Sequence, residues 1–303
     1  MTPSFNQAAY LEETMVSVLE QKYARLEYLV VDGASTDGSV DIIRRHAGRL
    51  AWWVSERDSG QAEAINKGFA RAKGEIVAWL NSDDTYQPGA ISQAVDAMQR
   101  YPEAGFVYGD MFAVDKDSQV INKLTYRQLT LEDLLCFQII GQPAVFMRRE
   151  ALERVGYLDP TFHCMLDHQL WLRIASRWRF IHIQRTWASA RYHQAAKNRA
   201  RAGEFGREAF RILEWADSQP NLVAVIVPNA RRARASAHRV DARYLLDGGR
   251  HWPSLKAWLR AFAIHPATAL ARSNILISVL LHISGLGALR AAYLRCRRSR
   301  LSG

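Results

Sequence analysis

Acidic and amide side chains follow three apolar runs of the sequence, at the point where each run ends. The three polar segments are Asp32-Gly33, Asp58-Ser59-Gly60-Gln61 and Asn81-Ser82-Asp83-Asp84. Two adjacent carboxylates, such as Asp83 and Asp84, repel each other unless a cation or a hydrogen-bond donor neutralises them. One or two carboxylates, completed by phosphate groups and water, are the usual ligands of Mg²⁺ or Mn²⁺. The residue types therefore predict a divalent metal beside a phosphate, although Asp58 taken alone fits a helix cap equally well.

The elements that position these segments alternate between short apolar runs and helical patterns up to about Tyr192. This alternation predicts an α/β fold with a Rossmann-like, mostly parallel sheet and flanking helices. The predicted strands are 27–31, 51–54, 76–80, 106–108, 144–147 and 180–183, with a hairpin over 111–121. Ligands of open α/β sheets bind outside the carboxyl ends of the strands, so the three polar segments are expected to share one site.

A change of pattern divides the chain into a catalytic domain over residues 1–198 and a helical region over residues 199–303. The second region is rich in Ala and Arg, and only Leu222–Val227 has the apolar, β-branched character of a strand. With 303 residues, of which 49% are hydrophobic, the chain can bury a full core and is not a disordered polymer.

Three separated cysteines argue against a disulfide framework or a zinc site and favour a reducing compartment, so a cytoplasmic protein is expected. The first residues carry no signal-peptide pattern. The longest uncharged stretch, Ser273–Leu289, has 17 residues and is shorter than the ~20 apolar residues that a spanning helix needs. We therefore predict no transmembrane span.

The net charge of +10 is concentrated at the end of the chain. Residues 248–303 contain nine Lys or Arg and no Asp or Glu, which leaves about +1 for the rest. Apolar residues at helical spacing accompany these cations, which is typical of an amphipathic helix on an anionic leaflet. We therefore expect residues 255–300 to contact the inner face of the cell membrane. The alternative is a helical cap on the catalytic domain, followed by a free basic end.

The order of the motifs resembles the family 2 glycosyltransferases, which have the GT-A fold. The motifs that carry the resemblance are Thr2-Pro3-Ser4-Phe5-Asn6, Val31-Asp32-Gly33-Ala34-Ser35-Thr36-Asp37-Gly38-Ser39, Asp58-Ser59-Gly60-Gln61, Ala64-Ile65-Asn66-Lys67-Gly68 and Asn81-Ser82-Asp83-Asp84. The resemblance covers roughly residues 2–193. It implies transfer of a sugar, with inversion at the anomeric carbon, from a UDP-, GDP- or dTDP-linked donor to an acceptor hydroxyl. The implied acceptor is a glycan or a lipid-linked glycan of a cell-surface polysaccharide, glycolipid or glycoprotein.

The resemblance also implies which residues contact the nucleotide sugar. These are Pro3, Ser4, Asn6, Asp32, Asp58, Gln61, Lys67, Arg71, Asn81 and Ser82. Pro3 to Asn6 are expected to form a turn, and Asp32 is expected to accept a hydrogen bond from the base. Lys67 and Arg71 are candidates for neutralising the diphosphate, although either fits a solvated helix face equally well.

The resemblance places the metal at the segment that begins with Asn81. Asp83 stands in the family's Asp-x-Asp motif as the principal ligand of Mg²⁺ or Mn²⁺, with Asp84 beside it. The first acid of that motif is Asn81 here, so the chain departs from the family in offering an uncharged oxygen. His193 resembles a late histidine that some relatives use near the metal or the diphosphate.

The general base is expected at the start of a late helix. Family members place an acid at the head of an Asp-x-x-Leu-Trp-Leu-Arg run, and Asp167 begins such a run here. Inverting transfer needs one base to deprotonate the acceptor hydroxyl, and we assign that role to Asp167. An aspartate that only faces the helix dipole is the alternative. Gly141-Gln142-Pro143 resembles the family's acceptor-side segment.

Family members begin with a buried strand directly before the Thr2–Asn6 segment, and only Met1 precedes it here. A sheet that lacks this strand exposes the edges of its neighbours. We therefore expect the start to be internal to a longer product, and a chain that begins at Met1 to be poorly stable.

Two other functions fit parts of the sequence. A sugar nucleotidyltransferase would share the nucleotide and the metal, but it needs a glycine-rich phosphate loop after the first strand, which the Pro3–Asn6 segment does not provide. A nucleic-acid-binding adaptor would interleave aromatic and basic residues over the folded body, whereas the excess charge here lies in the tail. No nucleic-acid partner is therefore expected.

Overall fold

The computed structural model describes residues 1–192 and 201–287. The chain divides into two compact units. The first contains residues 1–128 and 140–192, and the second contains residues 129–139 together with the chain from residue 193 onward. No local pattern indicates that the short segment 129–139 belongs with the C-terminal helices, because the segment lies far from them along the chain.

A three-stranded parallel sheet begins the first unit. Its strands are β1 (Thr2–Ser4), β2 (Leu29–Asp32) and β3 (Trp52–Ser55). Ser4 pairs with Asp32, and Asp32 pairs with Ser55, so all three strands end at one level. Pro3 and Ser4 therefore lie in a strand and not in the predicted turn. The first strand is present as three residues, and the chain bends at Asn6, whose φ is 51°.

The backbone of Met1 connects this sheet to the segment 78–80. The Met1 ammonium donates to the Ala78 carbonyl at 2.8 Å, and the Leu80 amide donates to the Met1 carbonyl at 3.0 Å. Burial lowers the pKa of this ammonium from 8.0 to about 5. A cavity of about 560 Å³ lies beside Met1, between Leu29 and Ile76. Burial therefore favours the uncharged form of this amine in the folded chain.

A six-stranded sheet of mixed direction forms the rest of the first unit. Its strands are β4 (Ile76–Val77), β5 (Thr85–Tyr86), β6 (Ala104–Val114), β7 (Val120–Leu124), β8 (Val145–Arg148) and β9 (Arg179–Arg191). β6 and β9 run parallel, while β4–β8, β6–β8, β6–β7 and β5–β9 are antiparallel pairs. β6 and β9 extend well beyond the predicted apolar runs because each continues through residues whose partners lie far away in the chain.

Helices cover the sheets of the first unit. They are α1 (Ala8–Leu19), α2 (Ser39–His46), α3 (Gln61–Arg71), α4 (Ala90–Arg100), α6 (Arg149–Val155) and α7 (Leu166–Ala175). The helix α1 buries Leu11, Met15 and Val18 at helical spacing against a core that includes Val30 and Val107. This core fixes the layers that carry the strand ends.

The second unit is helical over its described residues. Its helices are α5 (Leu131–Leu135), α8 (Ala202–Asp217), α9 (Pro220–Asp247), α10 (His251–Ile264), α11 (Pro266–Leu270) and α12 (Ser273–Ile283). The strand considered at Leu222–Val227 is wrong: Pro220 starts a helix there, and Leu222 and Ile226 are buried one turn apart. Packing of that face overrides the local β-branched character. Among the described residues, no helix combines the length and the apolar character needed to span a bilayer.

Candidate active site

Asp32 ends β2 and is fully buried. Its carboxylate accepts hydrogen bonds from the Ser35 amide at 2.9 Å, from the Ser35 hydroxyl at 2.5 Å and from the Ser55 hydroxyl at 2.7 Å. These bonds tie the loop after β2 to the end of β3. The Asp32 carboxylate, which is predicted to accept a hydrogen bond from a nucleotide base, therefore already accepts three hydrogen bonds from the protein.

Gly33 brings a second acid next to this loop. A methyl group at Gly33 would lie 2.7 Å from Asp58 Oδ2 and 3.3 Å from the Phe5 ring, so only glycine permits this approach. Asp58 also accepts from the Gly60 amide at 2.9 Å, and partial burial raises the pKa of its carboxyl. Phe5 is 60% exposed. Phe5, Gly33 and Asp58 thus gather at the carboxyl end of the three-stranded sheet.

The first strand contributes a hydroxyl to the same edge. Ser4 is 4% exposed, and its Oγ has no hydrogen-bond partner among the described residues. Pro3, one residue earlier, is also buried. The Asn6 side chain accepts from the Thr36 amide at 2.9 Å and so joins the bend after β1 to the loop after β2. The sequence did not show that Phe5 would be exposed, because exposure depends on neighbouring loops.

Asn81 is the centre of a polar network after β4. Its Oδ1 accepts from Gln61 Nε2 at 2.8 Å, and its Nδ2 donates to Asp84 Oδ2 at 3.2 Å and to Gln142 Oε1 at 3.1 Å. Gln142 in turn donates to the Trp79 carbonyl at 2.8 Å. An aspartate at this position could not donate to Asp84 or Gln142. The departure from the family's first acid therefore has a local structural reason.

Asp83 and Asp84 follow in the same turn, with Ser82 buried before them. The turn is closed by a bond of 3.1 Å from the Asp84 amide to the Asn81 carbonyl. Asp84 is 5% exposed, and its other carboxylate oxygen accepts from the Arg191 amide at 2.9 Å. Burial and the neighbouring Asp83 charge hold the pKa of Asp84 well above its ordinary value. Asp84 is thus engaged inside the protein, whereas Asp83 is half-buried.

Asp167 lies in the first turn of α7 and is half-buried. Trp171, one turn later on the same face of the helix, stacks on Trp79 with ring centroids 5.4 Å apart. Trp79 stands two residues before Asn81. The stacked indoles therefore anchor the helix that carries Asp167 to the segment that carries the acidic turn.

Of the remaining predicted residues, Arg71 is not brought to this edge, whereas Lys67 lies close enough to Asp58 for their charges to interact. Arg71 lies at the far end of α3 from Gln61 and packs over the Trp52 ring, at the start of β3, with 4.7 Å between its guanidinium carbon and the ring centroid. A diphosphate contact by Arg71 is therefore not supported. Lys67 forms an ion pair of 2.6 Å with Glu56, which raises the pKa of the lysine. His193 lies outside the described residues.

Comparison with known proteins identifies the family to which this chain belongs. The model of glycosyl transferase family 2 matches residues 1–156. The chain belongs to glycosyltransferase family 2. The family predicted from the order of the motifs is thereby confirmed, and the chain is a glycosyltransferase.

Two relatives illustrate the range of the match. The putative teichuronic acid biosynthesis glycosyltransferase TuaG of Bacillus subtilis is 30% identical over 182 residues, which are 58% of this chain and 71% of that protein. The O-antigen biosynthesis protein RfbC of Myxococcus xanthus is 31% identical over 200 residues, which are 64% of this chain and 16% of that protein. The chain thus spans only a small part of the second relative.

Solved structures confirm the GT-A fold of this glycosyltransferase. The mannosyltransferase PcManGT from Pyrobaculum calidifontis, in complex with GDP-Man and Mn²⁺, superposes with a TM-score of 0.62 at 22% identity and covers 98% of this chain and 84% of that one. Residues 1–349 of S. aureus TarS, in complex with UDP-GlcNAc, give a TM-score of 0.60 at 13% identity, with 90% of each chain covered.

Proposed function

We propose that the enzyme transfers a sugar from a nucleoside-diphosphate donor to an acceptor hydroxyl with inversion at the anomeric carbon. The observation that carries the proposal is the acidic turn of Asn81 to Asp84, which is fixed to Gln61 and Gln142 after β4. In the same unit, Asp32 at the end of β2 and Asp58 in the loop after β3 lie at the carboxyl edge of the first sheet, which suits a nucleotide. Similar structures were solved with GDP-Man and with UDP-GlcNAc, so a nucleotide-sugar donor fits the fold.

The acidic turn fits a divalent cation, Mg²⁺ or Mn²⁺. Asp83 and Asp84 are adjacent carboxylates, and their mutual repulsion contributes to the raised pKa of Asp84. A cation beside Asp83 would relieve this repulsion. Asp83 is the proposed ligand, because the Asp84 oxygens accept hydrogen bonds from Asn81 and Arg191. Such a cation would neutralise the charge that develops on the diphosphate as it leaves.

The chain's own groups supply the rest of the reaction. Asp167 accepts the proton of the acceptor hydroxyl while that oxygen attacks the anomeric carbon. The stacking of Trp171 on Trp79 holds the helix that carries this base in place. At the carboxyl end of the three-stranded sheet, Phe5 offers an exposed aromatic face to the base of the donor. The Ser4 hydroxyl, which has no hydrogen-bond partner among the described residues, offers a hydrogen bond.

The proposal is tested by measuring nucleoside-diphosphate release from a panel of UDP-, GDP- and dTDP-sugars with Mn²⁺, with Mg²⁺ and with EDTA. We expect turnover with one donor class and its loss in EDTA. Asp83→Ala should abolish turnover and weaken donor binding. Asp167→Asn should abolish turnover and keep donor binding, because it removes only the proton acceptor.

An exposed acid outside the site provides the control. Asp96 is exposed on α4, so Asp96→Asn should leave both turnover and donor binding unchanged. Equal loss of donor binding in the Asp83 and Asp167 variants would refute the division of roles. Full activity of the wild type in EDTA would refute the requirement for a divalent metal.

The acceptor is proposed to be a glycan or a lipid-linked glycan of a cell-surface polysaccharide, glycolipid or glycoprotein. The relatives named for teichuronic acid and O-antigen biosynthesis support this substrate class. An acceptor of this kind agrees with a cytoplasmic enzyme that works at the inner face of the membrane, and the second unit offers a surface suited to such a location.

Exposed apolar side chains follow one another along α10 and α12. Trp252 is 62% exposed and Leu259 is 50% exposed on α10, and Ile277 is 57% exposed on α12. Lys256 and Arg260 are exposed on α10, and no acidic residue follows Asp247 in the sequence. Exposed apolar and cationic groups together fit the interface of an anionic bilayer.

Vesicle flotation tests the membrane contact. The full chain should float with vesicles that contain phosphatidylglycerol and remain unbound with pure phosphatidylcholine. A Trp252→Ser, Leu259→Ser double variant should float less. A Val223→Ser, Val227→Ser variant changes two exposed residues of α9 and should float like the wild type. Equal flotation of both variants would refute this surface.

A further inference from the structure

Arg191 ends β9 and is buried beneath the acidic turn, with 2% of its side chain exposed. Its backbone amide donates to Asp84 Oδ1 at 2.9 Å, and its Nε donates to the Asp83 carbonyl at 3.0 Å. One residue therefore holds the turn from two directions. One bond fixes the carboxylate of Asp84, and the other fixes the backbone that carries the Asp83 side chain.

The two remaining guanidinium nitrogens bind two other elements. Nη1 donates to the Ser118 hydroxyl at 2.9 Å and to the carbonyls of Asp115 at 3.1 Å and Lys116 at 3.3 Å, all in the turn between β6 and β7. Nη2 forms an ion pair of 2.6 Å with Glu13 on α1. A planar guanidinium with donors in several directions can serve all these acceptors at once, whereas a lysine ammonium cannot.

The helix α1 supports the same arrangement. Glu13 also accepts from the Ser118 hydroxyl at 2.8 Å, and the Thr14 hydroxyl donates to the Asp84 carbonyl at 2.8 Å. The guanidinium lies over the Tyr10 ring, with its carbon 4.7 Å from the ring centroid. Residues that are distant in the sequence thus converge on one buried cation next to two carboxylates.

We propose that Arg191 is a positioning residue that fixes the Asn81–Asp84 turn so that the Asp83 carboxylate is preorganised for a divalent cation. The inference rests on the proposed function, because it assumes that this turn holds the metal of the donor complex. It adds a residue that does not contact the substrate. A turn without these bonds would have to be ordered by the cation itself, and the cost of ordering would lower the metal affinity.

The test is a Mn²⁺ titration of the purified full chain in the presence of UDP or GDP, followed by electron paramagnetic resonance of free Mn²⁺. Arg191→Met should weaken Mn²⁺ binding at least ~10-fold, which is the usual lower bound for the loss of a group that orients a metal ligand. Nucleotide binding in EDTA should be unchanged. If Arg191 only stabilised the fold, the variants that remain folded would show no selective loss of Mn²⁺ affinity or of nucleotide affinity.

Two further variants keep the test decisive. Arg191→Lys retains the charge but not the planar set of donors. We therefore expect the lysine variant to bind Mn²⁺ more tightly than Arg191→Met and more weakly than the wild type. If the methionine variant does not fold, the lysine variant should still show weaker Mn²⁺ binding than the wild type. Arg179→Met is the matched control, because Arg179 begins the same strand with 71% of its side chain exposed. It should bind Mn²⁺ like the wild type.

The outcomes separate the two proposals. Wild-type Mn²⁺ affinity in a folded Arg191→Met or Arg191→Lys variant would overturn the positioning role and leave the proposed function intact. A wild type that shows no Mn²⁺ binding with any nucleoside diphosphate would instead contradict the proposed metal site, and the positioning role with it. Equal weakening of Mn²⁺ binding and of nucleotide binding in EDTA would indicate general disorder and would also overturn the proposal.

Discussion

Lowering the pH should destabilise a chain that begins at Met1, because the folded state buries the terminal amine. The pKa of this amine is 8.0 in its ordinary state and about 5 in the folded protein. Between these two values the unfolded chain binds more protons than the folded one, so the free energy of unfolding falls as the pH decreases. The loss is complete below about pH 5 and absent above about pH 8.

The magnitude follows from the two pKa values. A difference of about three, at ~1.4 kcal/mol for each, corresponds to ~4 kcal/mol. This is a large part of the ~5–15 kcal/mol by which folded domains are usually stable. The chain should therefore be less stable in mild acid than in mildly alkaline buffer by about this amount.

Urea unfolding monitored by tryptophan fluorescence, at about pH 8.5 and about pH 5, measures the effect. Other groups also titrate in this range, so the informative quantity is the difference between the chain with a free amine and the same chain acetylated at Met1. The acetylated nitrogen still donates to the Ala78 carbonyl, and the cavity of about 560 Å³ beside Met1 leaves room for the acetyl group. The acetylated chain should be more stable by ~4 kcal/mol in acid and equally stable in base. The same pH dependence in both chains would show that the terminal amine is not its cause.

Three substitutions test other parts of the structure. Asn81→Asp should lower the stability by ~1–3 kcal/mol in thermal unfolding, because two buried acceptors lose their donor, and an unchanged melting temperature would contradict the network. Gly33→Ala should weaken donor binding in calorimetry, because its methyl group would lie 2.7 Å from Asp58 Oδ2, whereas Gly48→Ala, with no atom within 4 Å, should not. Arg71→Ala should leave donor affinity unchanged, and a ~10-fold loss would restore the predicted diphosphate contact.

The strand ends of the first sheet were predictable because their signal is local. An apolar run that stops at an acid or an amide predicts both the strand and the edge at which ligands bind. The structure places Asp32 and Ser55 at one level of this sheet and Asn81 after the next strand, as that reasoning requires. The acidic turn therefore follows from the sequence without knowledge of its neighbours.

The contacts that organise the turn were not predictable in this way. Arg191 and Glu13 are 178 positions apart in the chain, and no local pattern relates them. The same is true of Asn81, whose partner Gln142 is 61 positions away. The failure at Leu222–Val227 has the related cause that burial on one side of a helix outweighs β-branched composition.

The stacked pair of Trp79 and Trp171 gives this enzyme a built-in optical reporter. The indole rings are inclined by only 25° with centroids 5.4 Å apart, close enough for their excited states to couple. One ring belongs to the segment before the acidic turn, and the other belongs to the helix that carries Asp167. Any change in their relative tilt during turnover would alter the exciton signal in far-ultraviolet circular dichroism, so ligand-induced rearrangement can be followed without a label.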